Sequence, residues 1–326
     1  MAKKNKAIRV FEGFAGYGGA SFGLKKAGIP HEIIGYSEID KDAIELYEYN
    51  FPDVQNFGDI TSIDENKLPD FDLFTGGFPC QPFSTVGKML GELDTRGTLF
   101  NDIIRICEKK KPQYVLLENV KGLKGGKHKN TLEKIISELE RIGYERPQVV
   151  VLNSKDYGIP QNRERLWIFG YYGGMPESFS LEPPKVELKY RLKDFLDKNP
   201  DEELYRTQAQ IDRIHEIRHS EPFDVTEPLC FDYYNKKIRT DGICMTVTPP
   251  EHNVIRIVEP IEEGKERLRK LSVDEHFRLM GFQLDDKVRE IKFPPTLNYT
   301  KLGRKAGNGW DINLVSILFK HIFSNL

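Results

Sequence analysis

Cysteine is scarce in this chain. Its 326 residues include Cys80, Cys107, Cys230 and Cys244, and no two of them stand in a CxxC pair. That spacing offers neither a zinc site nor a disulfide framework, and no metal is expected. Long apolar runs are missing too: none reaches the roughly 20 residues that cross a bilayer. The basic start, Met1 to Lys6, leads into a strand, not into a signal-peptide core. A cytoplasmic protein with no membrane partner is expected. An excess of one charge is also absent, since 48 Lys and Arg face 50 Asp and Glu for a net charge of −2. Global attraction to a polyanion is therefore not indicated. Locally, Ser84 to Lys129 holds ten basic residues against five acidic ones. A phosphate-facing stretch and a solvated helix face both fit that balance.

What is present suits a soluble protein with a core, 39% hydrophobic and 30% charged. Ile8 to Glu12 reads as a strand, Phe14-Ala15-Gly16-Tyr17-Gly18-Gly19 as a glycine turn, and Ala20 to Ala27 as a helix. That unit brings backbone N–H groups toward a ligand, although its glycines lack dinucleotide-site spacing. Ile33 to Ser37 reads as a second strand, tipped by Glu38-Ile39-Asp40. An acid at that tip can accept hydrogen bonds from a ribose diol, a role given to Glu38, while Asp40 is assigned to cap the helix Lys41 to Asn50. Gly58-Asp59-Ile60 is expected to end a third short strand, with Asp59 either meeting a base amine or serving as a turn residue.

The centre of the chain is Gly76-Gly77-Phe78-Pro79-Cys80-Gln81-Pro82-Phe83-Ser84. A buried strand, Phe71 to Thr75, runs into paired glycines, and prolines stiffen either side of Cys80. A thiol displayed at the carboxyl edge of a sheet is a candidate nucleophile. Tyr114 to Leu117 reads as a buried parallel strand that brings Glu118-Asn119-Val120 to the same edge. The strand Leu166 to Phe169 is preceded by Gln161-Asn162-Arg163-Glu164-Arg165, and in an extended segment Gln161, Arg163 and Arg165 share a face. Helices are expected from Thr98 to Cys107, Thr131 to Ile142, Gln208 to Arg218, Ser272 to Met280 and Ile312 to Ile322, with a glycine turn from Gly303 to Trp310. From about Tyr172 prolines cluster and the alternation stops. It resumes at Leu271. The chain thus leaves a first domain for a small lobe and returns, giving 1–171, 172–268 and 269–326.

In this order the residues resemble the DNA (cytosine-5)-methyltransferase family over nearly the whole chain outside 172–265. Phe14 to Gly19 is similar to its S-adenosylmethionine turn, Pro79-Cys80-Gln81 to its nucleophile motif and Glu118-Asn119-Val120 to its acidic motif. Gln161-x-Arg163-x-Arg165 resembles its arginine motif, Arg269-x-Leu271-Ser272 through Phe282 the segment shaping its recognition lobe, and Gly307-Asn308-Gly309-Trp310 its final cofactor motif.

The resemblance implies an α/β fold: a Rossmann-like AdoMet-dependent methyltransferase sheet with a second, smaller target-recognition domain. It implies catalysis by Cys80, Glu118, Arg163 and Arg165. The cofactor S-adenosyl-L-methionine would meet Phe14, Gly16, Gly18, Gly19, Glu38, Ile39, Asp59, Ile60, Leu99, Asn308 and Trp310. Trp310 departs from the family's commoner ending. Double-stranded DNA would meet Gln81, Ser84, Lys88 and Arg96 on a loop closing over a flipped base, where Val86 is apolar. By the same resemblance the carbonyl of Phe78 would read the cytosine amine; on the lobe, acidic overall, the local basic residues Lys236, Lys237 and Arg239 are the candidates for DNA contact. A monomer is expected, in a restriction-modification setting whose cognate restriction endonuclease would be a separate protein. Weighed against this are a tRNA cytosine methyltransferase of similar fold and a catalytically dead AdoMet-binding regulator. A nicotinamide oxidoreductase fits least.

Overall fold

The computed structural model describes residues 6–79, 98–125, 128–218, 226–233, 237–249, 255–262 and 265–326. Cys80, Gln81, Ser84, Val86, Lys88, Arg96 and Lys236 lie outside the described residues. By its internal contacts the chain divides into two compact units. One is Met1–Leu152, Glu164–Pro184 and Val315–Leu326; the other is Asn153–Arg163 and Lys185–Leu314.

Strand and helix alternate through the first unit: β1 (Ile8–Gly13), α1 (Gly19–Ala27), β2 (His31–Ser37), α2 (Lys41–Asn50), β3 (Leu73–Gly77), α3 (Thr98–Lys110), β4 (Tyr114–Val120), α4 (Lys129–Arg141), β5 (Gln148–Asn153) and β6 (Glu164–Tyr171). The sheet runs β2-β1-β3-β4-β6-β5. β2, β1, β3 and β4 are parallel, and β6 lies antiparallel on β4. This is a Rossmann-like α/β sheet. Its order reverses between β1 and β3, so a crevice opens at their carboxyl ends, where such sheets bind ligands.

Period-two alternation decides what each strand buries. Val115 and Leu117 of β4 join one apolar cluster with Ile103 and Ile106 of α3 and Ile135 and Leu139 of α4. Tyr114 faces the other way and meets Phe323 of the C-terminal helix edge to face. On that second face Gly23 of α1 has no room for a Cβ, which would stand 2.5 Å from Val315.

The second unit carries an antiparallel sheet, β10-β9-β7-β8, built from β7 (Leu229–Asp232), β8 (Lys237–Arg239), β9 (Ile255–Glu262) and β10 (Lys265–Arg269). With it are α5 (Gln208–Arg218), α6 (Val273–Leu279) and α7 (Tyr299–Asn308); α8 (Ile312–Asn325) follows and continues into the first unit. Ser272 caps α6 reciprocally with Glu275, whose carboxylate also takes the guanidinium of Arg269 at 2.7 and 2.8 Å. Arg269 is fully buried, so leaving either partner alone there would be costly.

Two local expectations change. No strand precedes Gly58; Asn56 makes a single bridge to Tyr36, and Asp59 caps a short 3₁₀ turn through Thr61. Gly303 to Asn308 is helix, not a glycine turn. Gly307 serves close packing: a Cβ there would lie 2.3 Å from the Thr248–Pro249 backbone.

Candidate active site

The turn after β1 is set by backbone conformation. Phe14, Gly16 and Gly18 have positive φ, at 53°, 57° and 93°. Around Gly16 there is open space, so glycine is favoured there by its left-handed backbone. Gly18 is constrained twice, because a Cβ would also stand 2.9 Å from the Phe51 ring. Phe14 is half-buried, with Gly19 opening α1.

Across the turn, Glu38 leaves the end of β2 and accepts from the N–H of Gly16 at 2.9 Å through Oε2. Its Oε1 takes the N–H groups of Ile39 and Asp40, both at 2.9 Å. Asn56 clasps the Glu38 backbone on both sides, a partner with no visible signal in the sequence. Asp40 caps α2 through the N–H groups of Asp42 and Ala43. Ile39 stands 68% exposed, an apolar side chain beside a fixed carboxylate. Asp59 is exposed, Ile60 sits in the core cluster and Leu99 is half-buried against it. In the second unit, Asn308 is the exposed last residue of α7 and Trp310 is 9% exposed.

The N-terminus of α1 is not open to a ligand in the simple way its glycines suggest. Glu12, buried near the end of β1, accepts from the N–H of Ser21 at 3.1 Å and the hydroxyl of Tyr47 at 3.1 Å, with the Ser21 hydroxyl closer still. Its carboxyl thus occupies the positive end of the helix from the protein side. The signal was an acid closing the otherwise apolar Val10-Phe11 run. Burial is the main cause raising the Glu12 pKa to about 7. Between the ordinary carboxyl value and 7 the folded chain holds a proton that the unfolded chain has released. Stability from this group is therefore lost as pH rises through that window, by about 3 kcal/mol. Glu12→Gln keeps an acceptor for Ser21 and Tyr47 and should remove the loss. Denaturant melts should show the variant gaining on wild type by that amount from pH 5 to pH 8; parallel pH profiles would refute it.

At the next crevice edge, β3 ends at Gly77, paired in register with Glu118 of β4. Phe78 and Pro79 continue from there to the position before Cys80. The carbonyl of Phe78 accepts from Asn119 Nδ2 at 3.0 Å, which fixes its direction and leaves a second lone pair. Glu118 and Arg165 lie diagonally across the β4–β6 pair, where Val120 opposes Arg165 and Trp167 opposes Glu118. Arg165 Nε meets Glu118 Oε1 at 2.9 Å, with the side chains 19% and 12% exposed. The pair is screened from most solvent.

Arg163 does not share this arrangement. It precedes β6, outside the extended strand on which a common face with Arg165 depended. Its guanidinium donates to the carbonyls of Val247, Gly307 and Gly309 at 2.8, 3.1 and 2.8 Å, all within the second unit. Gln161 acts similarly, donating to the Leu279 carbonyl and accepting from the Val247 N–H. Of the expected lobe contacts, Lys237 is exposed on β8, whereas Arg239 is bound to Asp241. No group of acids, histidines or cysteines able to hold a metal occurs among the described residues, and no helix there is long and apolar enough to cross a membrane.

A family model for C-5 cytosine-specific DNA methylase matches residues 8–324. The type II methyltransferase M.HhaI of Haemophilus parahaemolyticus is 38% identical over 333 aligned positions, covering 99% of this chain and 97% of that protein. Type II methyltransferase M2.ScrFI of Lactococcus lactis subsp. cremoris is 31% identical, covering 98% and 99%. A crystal structure of a Spodoptera frugiperda DNMT2 variant superposes with a TM-score of 0.76 at 20% identity, over 97% of this chain and 100% of that one, a likeness of fold. A family model spanning nearly the full chain, together with relatives matched end to end, establishes that this protein belongs to the C-5 cytosine-specific DNA methylases and is a DNA (cytosine-5)-methyltransferase.

Proposed function

We propose that the protein transfers a methyl group from S-adenosyl-L-methionine to carbon 5 of a cytosine within a specific double-stranded DNA sequence. In this reading the base is flipped out and held by a transient bond from Cys80 to carbon 6. The observation that carries it is the Glu118–Arg165 pair at the carboxyl edge of the sheet, beside the strand that delivers Cys80.

Carbon 5 of cytosine is too weak a nucleophile to take a methyl group unaided. Addition of the Cys80 thiolate to carbon 6 pushes electrons through the ring and makes carbon 5 enamine-like. Charge then builds at N3, where Glu118 supplies a proton or strong hydrogen bond, while Arg165 orients that carboxyl and the base oxygen. The free lone pair of the Phe78 carbonyl is suited to the cytosine amine. Loss of the carbon 5 proton to a base then expels the thiolate and restores the ring. Because the atom attacked is unreachable within a duplex, the base leaves the stack at a cost of a few kcal/mol.

The residues around the first glycine turn fit the cofactor. When bound, it supplies an electrophilic methyl carried on a sulfonium. Glu38, held by Asn56 and retaining a lone pair on Oε2, is suited to a ribose hydroxyl, with Ile39 and Phe14 as apolar contacts for a base. Arg163 is assigned a positioning role, because both of its terminal nitrogens donate to main-chain carbonyls. Gln81, Ser84, Lys88 and Arg96 are proposed DNA contacts after Cys80, with Lys236 and Lys237 on the lobe. The names of the curated relatives favour a restriction-modification setting, and the description of the family favours DNA over tRNA.

A duplex carrying 5-fluorocytosine at the target tests this reading. Fluorine cannot leave carbon 5 as a proton does, so the adduct should persist with S-adenosyl-L-methionine present and survive a denaturing gel. Methylated product without any trapped species would remove the covalent step. Trapping on tRNA alone would replace the substrate.

A further inference from the structure

We propose that Arg206, Arg256 and Lys270, gathered on one face of the antiparallel sheet beside Tyr299, form a clamp for a backbone phosphate of the DNA substrate. The proposal rests on the function just argued and adds a contact that the motifs did not single out.

Backbone register places the three cations together. Arg269 of β10 pairs with Ile257 of β9, so Lys270 continues opposite Arg256. On the other side of β10, Tyr205 bridges to Arg269, the Arg206 N–H donates to Leu268, and the Lys270 N–H donates to Leu204. Residues opposite one another in antiparallel strands share a face, as do residues two apart. Arg206, Arg256 and Lys270 therefore lie on the face carrying Leu268 and Val258, whose small core is completed by Ile211, Leu229 and Phe231. The ammonium of Lys270 stands 5.5 Å from the centre of the Tyr299 ring.

The opposite face shows what this sheet does with cations it keeps for structure. There Arg269 is bound by Glu259 and Glu275, and Arg267 by Glu202. Among the described residues no carboxylate lies within ion-pair distance of Arg206, Arg256 or Lys270. Lys270 and Tyr299 do line a cavity of about 560 Å³ with Asp197, Asp201, Glu203 and Asp274. Two of those acids are already engaged, Asp197 by Arg278 and Asp274 by Arg289. Burial, then Arg206, pulls the Arg256 guanidinium down to about 10; Lys270 is lowered by burial and by both arginines. Three mutually repelling, half-buried cations cost stability. A dianionic or monoanionic oxygen group placed among them would relieve that repulsion, and on the substrate that group is a phosphate.

The test measures binding to cognate and unrelated duplexes of equal length across a salt series. Substituting all three by Gln should weaken both duplexes by a similar factor, about tenfold near 0.1 M salt, and cut the slope of log K against log salt by about 0.9, one phosphate's worth. The methylated sequence, read by bisulfite, should not change. The charge-preserving set Arg206→Lys, Arg256→Lys and Lys270→Arg should keep the wild-type slope. Should the Gln triple fail to fold, Lys270→Gln alone carries the measurement, since its side chain is half-exposed. An unchanged slope in a folded variant would overturn the clamp, as would a loss confined to the cognate duplex or to tRNA. Wild-type methylation of DNA is scored in the same samples, so failure of the clamp is distinguishable from failure of the proposed reaction.

Discussion

Cys80→Ala should abolish methylation of carbon 5, lowering turnover by roughly five to six orders of magnitude, the scale seen when a covalent nucleophile is removed. S-adenosyl-L-methionine binding should stay within a few-fold of wild type. The reasoning is chemical first. No other described feature makes carbon 5 nucleophilic: Glu118 and Arg165 can neutralise charge at N3 and the base oxygen, yet neither adds electrons to the ring. Without the thiolate there is no developing charge for them to relieve. The fold then explains why the loss should be confined to chemistry. The chain leaves the sheet at Gly77, beside Glu118, and the Phe78 carbonyl is fixed independently by Asn119. The Glu38 cradle depends on Gly16, Ile39, Asp40 and Asn56, in the turns after β1 and β2 and the segment before Gly58. Single-turnover methylation measures the first effect and calorimetric titration the second. Residual turnover within a hundredfold of wild type would take Cys80 out of the mechanism. A parallel collapse in cofactor affinity would mean the substitution disturbed the fold.

Much of this architecture was readable because strand, glycine and helix punctuation is local. The turn after β1 and the cap by Asp40 follow from residues within a few positions of each other. What could not be read depends on partners far along the chain. Glu12 looked like the last residue of a strand, and only the arrival of Ser21 and Tyr47 turns it into an internal cap. Gly303 and Gly307 carried the composition of a turn, but both lie in a helix, and Gly307 is needed there because the Thr248–Pro249 backbone passes close by. Arg163 and Arg165 share one motif, and two residues of separation implied one face. The strand begins between them, so one arginine binds a carboxylate and the other three carbonyls. The three cations on the second sheet were equally hidden, since Arg206, Arg256 and Lys270 come from three separate stretches joined only by strand register.

Glu118→Gln should lower the methylation rate by about 10² to 10³, within the range that positioned proton transfer contributes. It should leave DNA and cofactor affinity nearly unchanged. Glutamine is the informative substitution because it separates two roles. Its amide oxygen can still accept from Arg165 Nε, so the guanidinium keeps a partner at the edge of the sheet, and its NH₂ can still donate to N3. What it cannot do is give N3 a proton as the thiolate adds. Arg165→Ala tests less cleanly, for it leaves a mostly buried carboxylate without its cation and so couples stability to rate. If proton transfer and thiolate addition belong to one step, Glu118→Gln should also suppress adduct formation on 5-fluorocytosine DNA, in the same proportion as turnover. A variant that traps the adduct at the wild-type rate would place the role of Glu118 after the addition. Turnover reduced less than tenfold would show that a hydrogen bond at N3 suffices and that no proton need pass.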